Sequence, residues 1–296
     1  MDRKASWQPE PDSGIAIKHV SANGQRFEVA QAGTGDKLAL CLHGFPELHY
    51  SWRFQIPILV EQGYRVWAPN MRGYGGSSKP ETLRDYALDH LCADVAALID
   101  ASGAREITIF AHDWGAIIAW AFAIQQIRPL KQLVIMNVPH PMVAKREIRH
   151  WRQLRRSWYI FFFQIPWLPE LLLSRGNGRA IKKAFTNMAC DQSNFPDEAL
   201  NIYASAAMRP GALTAMVNYY RALLRHGNSV EVHDKKIDLP TLMIWGEEDS
   251  ALNIKCTEGT EEWVPNFTLR RLAGVSHWVQ QEAPEKVNDI LRDWLD

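Results

Sequence analysis

The chain has 296 residues, 47% of them hydrophobic, which suffices for one large domain or one domain carrying a sizeable insertion. Lys+Arg and Asp+Glu both number 33, so no overall charge excess steers the chain toward nucleic acid or an anionic membrane. The polar opening MDRKASWQPEPDSG lacks a signal-peptide core, and no apolar run approaches the roughly 20 residues of a spanning helix, so a cytoplasmic protein with no stable membrane insertion is expected.

The predicted elements begin with IAIKHV and QRFEVAQAG, two strands joined at the turn residues Asn23-Gly24. KLALCLH is a buried-type strand that ends in the loop His43-Gly44-Phe45-Pro46-Glu47, where Pro46 suits a strained turn with a cis bond. A helix is predicted near SWRFQIPILVEQG, then the strand YRVWAPN and the glycine-rich loop MRGYGGSSKP. LDHLCADVAALIDASG has helical periodicity. ITIF is a strand, a helix starts near Trp114, and LKQLVIMN is the sixth strand. From 139 to 235 the pattern is mostly helical, rich in aromatics and broken by Pro and Gly. The strand-then-helix rhythm returns at PTLMIWGEEDSAL and continues through NFTLRRLA to APEKVNDILRDWLD.

This alternation predicts an α/β fold: a mostly parallel central sheet flanked by helices, with a helical cap inserted after the sixth strand. The expected core is 1–138 and 236–296, and the expected cap is 139–235. The cysteines at 41, 92, 190 and 256 have no metal-ligand spacing and are expected as reduced core residues.

Four features carry chemistry. At ITIFAHDWGAIIAW a strand turns sharply into a helix, with small Ala111 and Gly115 two positions either side of Asp113. Many α/β enzymes place a serine nucleophile at such a turn. DWGA alone fits an ordinary N-cap aspartate equally well. His277 lies in the loop after the last strand, where nucleophile–acid–histidine order places the base. Among Glu247, Glu248 and Asp249, the last has the best spacing to orient that histidine. The HGFPE loop and the residue after the nucleophile would supply backbone N–H groups, from Phe45 and Trp114, to an oxyanion hole.

An aspartate nucleophile alters the chemistry. Free Asp has a pKa of about 3.9, so it needs no base to become nucleophilic. It suits displacement at a saturated carbon, giving an alkyl ester. Water activated by His277 would then hydrolyse that ester against the oxyanion hole.

HGFPE, RGYGGSSKP, HDWG, WGEED and SHW, in this order and spacing, make the chain from about residue 15 onward resemble the α/β-hydrolase-fold epoxide hydrolases. The one small departure is Ala111, where many members have Gly. The resemblance implies a cofactor-independent enzyme turning small apolar epoxides and water into vicinal diols, as a monomer or homodimer. It implies two cap tyrosines donating to the epoxide oxygen: Tyr159 in SWYIFFFQIP and Tyr220 in VNYYRALL, with Tyr219 as the register alternative. Glu47 stands where relatives help to place the hydrolytic water, although pairing with a nearby base is an equal alternative. His43 and His112 are expected to be structural. Trp158, Phe162, Phe163, Trp167 and Trp278 are expected around an apolar pocket.

RHWRQLRR (149–156) is basic and amphipathic, and is expected as a solvated cap face rather than a membrane patch because charge balances overall. A dehalogenase of the same fold is the nearest alternative. Phe45 stands where haloalkane dehalogenases carry a halide-binding Asn, and no Arg follows Asp113 to hold a haloacid. A non-catalytic ligand-binding member of the fold is the second alternative.

Overall fold

Short runs of Val, Ile, Leu and Ala buried on both faces form the centre of the molecule, as parallel strands covered by helices must. The computed structural model describes residues 6–227 and 236–295. The predicted core end at 1–5, the cap boundary at 228–235 and residue 296 lie outside the described residues. Eight strands form one sheet: β1 (Ala16–Ala22), β2 (Gln25–Ala32), β3 (Lys37–Leu42), β4 (Arg65–Pro69), β5 (Glu106–His112), β6 (Gln132–Met136), β7 (Thr241–Gly246) and β8 (Phe267–Leu272). Their order is β1-β2-β4-β3-β5-β6-β7-β8. The pairs β1–β2 and β2–β4 are antiparallel and the rest are parallel. The hairpin turns at Asn23 and Gly24, both with positive φ.

The helices are α1 (Gln55–Glu61), α2 (Leu88–Ser102), α3 (Trp114–Ile124), α4 (Pro141–Glu147), α5 (Trp151–Arg156), α6 (Trp158–Phe162), α7 (Leu168–Met188), α8 (Asp197–Ala207), α9 (Ala212–Arg225), α10 (Val279–Glu282) and α11 (Pro284–Leu295). Buried apolar side chains pack on both faces of the sheet. The helix α7 is broken at residues 175–178, where Gly176, Asn177 and Gly178 take positive φ. No helix among the described residues is long and apolar enough to cross a membrane.

Helices α4 to α9 fall between β6 and β7, where the strand rhythm stops. They meet the loops at the carboxyl ends of the strands. Tyr219 Oη donates to the Arg72 carbonyl after β4, and Arg156 donates to the Asp249 carbonyl after β7.

Three expectations are corrected. The helix predicted over SWRFQIPILVEQG is shorter: His49–Trp52 forms a 3-10 turn and α1 starts at Gln55. No α-helix follows WGEED; the 3-10 turns Ile254–Thr257 and Thr260–Glu262 stand there, interrupted by Gly259 at positive φ. Cys190 is exposed, whereas Cys41, Cys92 and Cys256 are buried.

Candidate active site

Strand β3 lies between β4 and β5, so the loops leaving β3 and β5 part in opposite directions and open a crevice. Leu42 pairs with Ala111 in this parallel ladder, which brings the two strand ends side by side. Asp113 forms the turn from β5 into α3 at φ 47° and ψ −119°, a conformation disfavoured for a residue with a Cβ. The turn survives because its neighbours are small. A Cβ at Gly115 would overlap the Leu42 carbonyl, and one at Gly44 would overlap the Asp113 side chain.

That close approach fixes the carboxylate. The Phe45 N–H donates to Asp113 Oδ1 at 2.7 Å. Trp114 is the first residue of α3, so its N–H is among the donors a helix leaves unmatched at its start. The Phe45–Pro46 bond is cis.

Asp113 Oδ2 faces His277 Nε2 at 3.6 Å, and His277 Nδ1 is 2.7 Å from Asp249 Oδ2. Asp249 is buried and fully engaged. Its Oδ1 accepts from the N–H groups of Ala251 (2.7 Å) and Leu252 (2.9 Å), and its Oδ2 accepts also from Asn137 Nδ2 at 2.7 Å. Glu247 and Glu248 are exposed.

The charges hold one another. Burial alone would lower the His277 pKa, but Asp249 and Asp113 reverse this and push it up to about 10. Burial alone would raise Asp113 and Asp249; hydrogen bonding and charge from His277 outweigh it and hold both carboxyls below their usual value.

A cavity of about 340 Å³ opens onto these groups. It brings together Asp113, His277, Tyr159 and Tyr220, walled by Phe45, Trp158, Phe162, Phe163 and Trp278. The Tyr220 ring centroid lies 5.7 Å from that of Tyr159, 5.4 Å from Phe45 and 5.0 Å from Trp114. Burial, with Asp113's charge as a further cause, pushes both phenols above their ordinary pKa. Tyr219 lies elsewhere: it is fully buried and bonded to the Arg72 carbonyl, so the register alternative falls away from the cavity. Trp167 is also outside it, exposed at the start of α7.

Glu47 is not among the cavity-lining residues. Its Oε2 accepts from Gly44 N–H and meets His112 Nδ1, and its Oε1 accepts from Gln280 and Gln281 Nε2, at 2.7–2.9 Å. All its acceptor sites are thereby used by protein donors. The observed arrangement is the pairing with a nearby base. His112 in turn donates from Nε2 to the His277 carbonyl at 2.8 Å. His43 Nε2 accepts from Met71 N–H at 3.0 Å, so both histidines brace the loops around Asp113 and His277.

Sequence reading missed Asn137 and Arg156. Asn137 follows β6 at φ 51°, and its Oδ1 accepts from Gly246 N–H. A lone amide closing an apolar strand was the available signal. Arg156 lines the cavity and donates from Nη1 to the Asp249 carbonyl at 2.7 Å. Nothing in RHWRQLRR distinguishes it from its exposed neighbours.

Residues 39–284 match the family model described as alpha/beta hydrolase fold. Human "Epoxide hydrolase 4" is 36% identical over 93% of this chain and 77% of its own length. A solved Bacillus megaterium epoxide hydrolase in complex with an inhibitor superposes with TM-score 0.87 at 29% identity, covering 94% of this chain and 99% of that one. A mutant of an epoxide hydrolase from the same organism, complexed with a naphthyloxy-propanediol product, gives TM-score 0.86 at 29% identity over the same shares of both chains.

Proposed function

The chain belongs to the epoxide hydrolases of the α/β-hydrolase fold, and we propose that it opens apolar epoxides in two covalent steps on Asp113. The observation that carries this reading is the position of two phenols, Tyr159 and Tyr220, in the same cavity as a carboxylate nucleophile. An epoxide oxygen leaves as an alkoxide and needs an acid; a halide would not.

In the first step Asp113 Oδ2 attacks an epoxide carbon and the C–O bond breaks. The epoxide oxygen takes a proton from a tyrosine, which becomes a phenolate in the bound state. Esterification also removes the Asp113 charge, one of two anions that hold the proton on His277. That proton passes to the phenolate, which burial makes strongly basic. Two charges are neutralised, and His277 becomes a free base.

In the second step His277 takes a proton from water, which attacks the ester carbonyl. Oδ1 becomes the oxyanion, and the Phe45 N–H already lies on it at 2.7 Å, joined in this reading by Trp114 N–H. Collapse of the tetrahedral species expels the diol alkoxide, which His277 reprotonates, and the Asp113 carboxylic acid left behind returns its proton to His277 to restore the ion pair. Asp249, fixed by Asn137 and two backbone N–H groups, orients the ring throughout. Glu47 contributes at one remove, through His112 and the His277 carbonyl.

The aromatic walls favour aryl or other lipophilic substituents, in keeping with the naphthyloxy product of the structural relative. In this reading residues 139–235 act as the cap that supplies both phenols. The test is incubation with aryl and alkyl epoxides and, separately, haloalkanes and haloacids. Diol without halide is the expected result; halide without diol would replace this reading with the dehalogenase.

A further inference from the structure

Helix α5 is amphipathic in the wrong sense. On a globular protein the apolar stripe faces inward. Here the inward positions are polar: Gln153 bonds to the Ala251 carbonyl and Asn253 N–H, buried Ser157 accepts from Gln153, and Arg156 reaches the Asp249 carbonyl. The apolar residues of α5 point out, and around α6 Tyr159 and Phe163 pack inward while Trp158 and Phe161 stay outside. Trp151, Leu154, Trp158, Phe161 and Ile165 are all exposed, at spacings of three, four, three and four. That spacing puts them on one side of the helical path. Trp167 extends the stripe into α7, and the three tryptophans are 61%, 63% and 70% exposed. Taking about 200 Å² for each large apolar side chain, the stripe presents on the order of 600 Å², at the top of what a monomer ordinarily shows.

Charge lies along the same segment. Residues 145–156 hold six Lys and Arg and one acid, in a chain whose totals cancel at 33 and 33. Lys145, Arg146, Arg149, Arg152 and Arg155 are exposed, and the Arg152 and Arg155 guanidiniums lie 5.8 and 5.7 Å from the Trp151 ring centroid. Beside Trp151 a depression of about 520 Å³ is bordered by Arg146, His150, Arg152 and Lys255, with Glu147 and Glu258 also on its wall. Overall neutrality therefore conceals a basic rim on an aromatic face.

We propose that this face of α5, α6 and the start of α7 docks on an anionic lipid surface, with the tryptophans in the headgroup region and the arginines on lipid phosphates. Exposed Trp and Phe flanked by Arg, with no spanning helix among the described residues, is the pattern of interfacial attachment. A second copy of this chain is disfavoured, because a two-fold contact would set the same basic rim against itself. Trp158 belongs to both the stripe and the 340 Å³ cavity, so docking sets the wall of that cavity against the lipid. The docking itself does not depend on the reaction assigned above.

The test uses the whole chain and sedimentation with vesicles of equimolar phosphatidylserine and phosphatidylcholine, or of phosphatidylcholine alone. Binding to the anionic vesicles is expected, about ten-fold weaker to neutral ones and sharply reduced at about 0.5 M salt. The pairs Trp151→Ser/Trp167→Ser and Arg149→Gln/Arg152→Gln should each weaken it about ten-fold with unchanged thermal unfolding. No binding at low salt, or binding indifferent to both pairs, overturns the proposal. A lipid-free dimer that the tryptophan pair dissolves assigns the face to a second copy instead.

Discussion

His277 Nε2 lies 3.6 Å from Asp113 Oδ2, so the two side chains meet as ions of opposite charge. Each keeps the other ionised, and in the course proposed here the pair dissolves when Asp113 is esterified. In that course the contact that holds the resting site together would act as a gate, releasing the base only after the first step.

Replacing Asp113 by Asn should abolish turnover and lower the His277 pKa from about 10, because one of its two anions is gone. Imidazole resonances followed by NMR against pH would read the shift directly; an unmoved titration would break the argument.

The same shift makes a stability prediction. The His277 pKa is higher folded than its unfolded value of about 6.5, so its contribution is complete below about pH 6.5. It is lost as pH rises toward about 10. Thermal melts should show Tm falling over that window in the wild type, and falling less in Asp113→Asn.

His277→Gln should alkylate but not release. Turnover is expected to fall by about 10³-fold or more, while intact-mass spectrometry after mixing with an epoxide shows one substrate mass added. Absence of an adduct in a folded variant would remove the two-step course.

The three neighbouring tyrosines should separate. Tyr159→Phe and Tyr220→Phe should each slow alkylation by about 10²-fold with little change in unfolding. Tyr219→Phe should keep the chemistry and lose about 1–2 kcal/mol of stability, since its hydroxyl serves the buried Arg72 carbonyl. Single-turnover kinetics and denaturant unfolding on all three would decide it.

Asn137→Ala strips a donor from Asp249 and an acceptor from Gly246 N–H. We expect a loss of about 2–4 kcal/mol in stability and a fall in kcat larger than any change in KM. Asn137→Asp would set a second carboxylate against Asp249 and should be worse than Ala.

Much of this was legible because local chemistry and global topology agree. The alternation of apolar strands and helices announces a parallel sheet, and the small residues around Asp113 announce a tight turn whatever surrounds it. Tyr220 could not be told from Tyr219 by periodicity, since the choice depends on which phenol faces the cavity across α9. Glu47 reads as an acid near the site, but its four donors come from positions 44, 112, 280 and 281, which only the fold assembles. Arg156 was hidden for a similar reason. It differs from Arg152 and Arg155 in the direction it faces.

The Phe45 N–H on Asp113 Oδ1 makes the two oxygens of one carboxylate chemically unequal. In the course proposed here Oδ2 leaves with the diol, and an oxygen from water takes its place on the enzyme. Each cycle therefore renews part of the protein from solvent. The first diol an enzyme molecule releases carries an atom built into the polypeptide at synthesis, and only later ones carry oxygen from the medium. In heavy-oxygen water, the isotope should enter Asp113 one turnover before it enters the product.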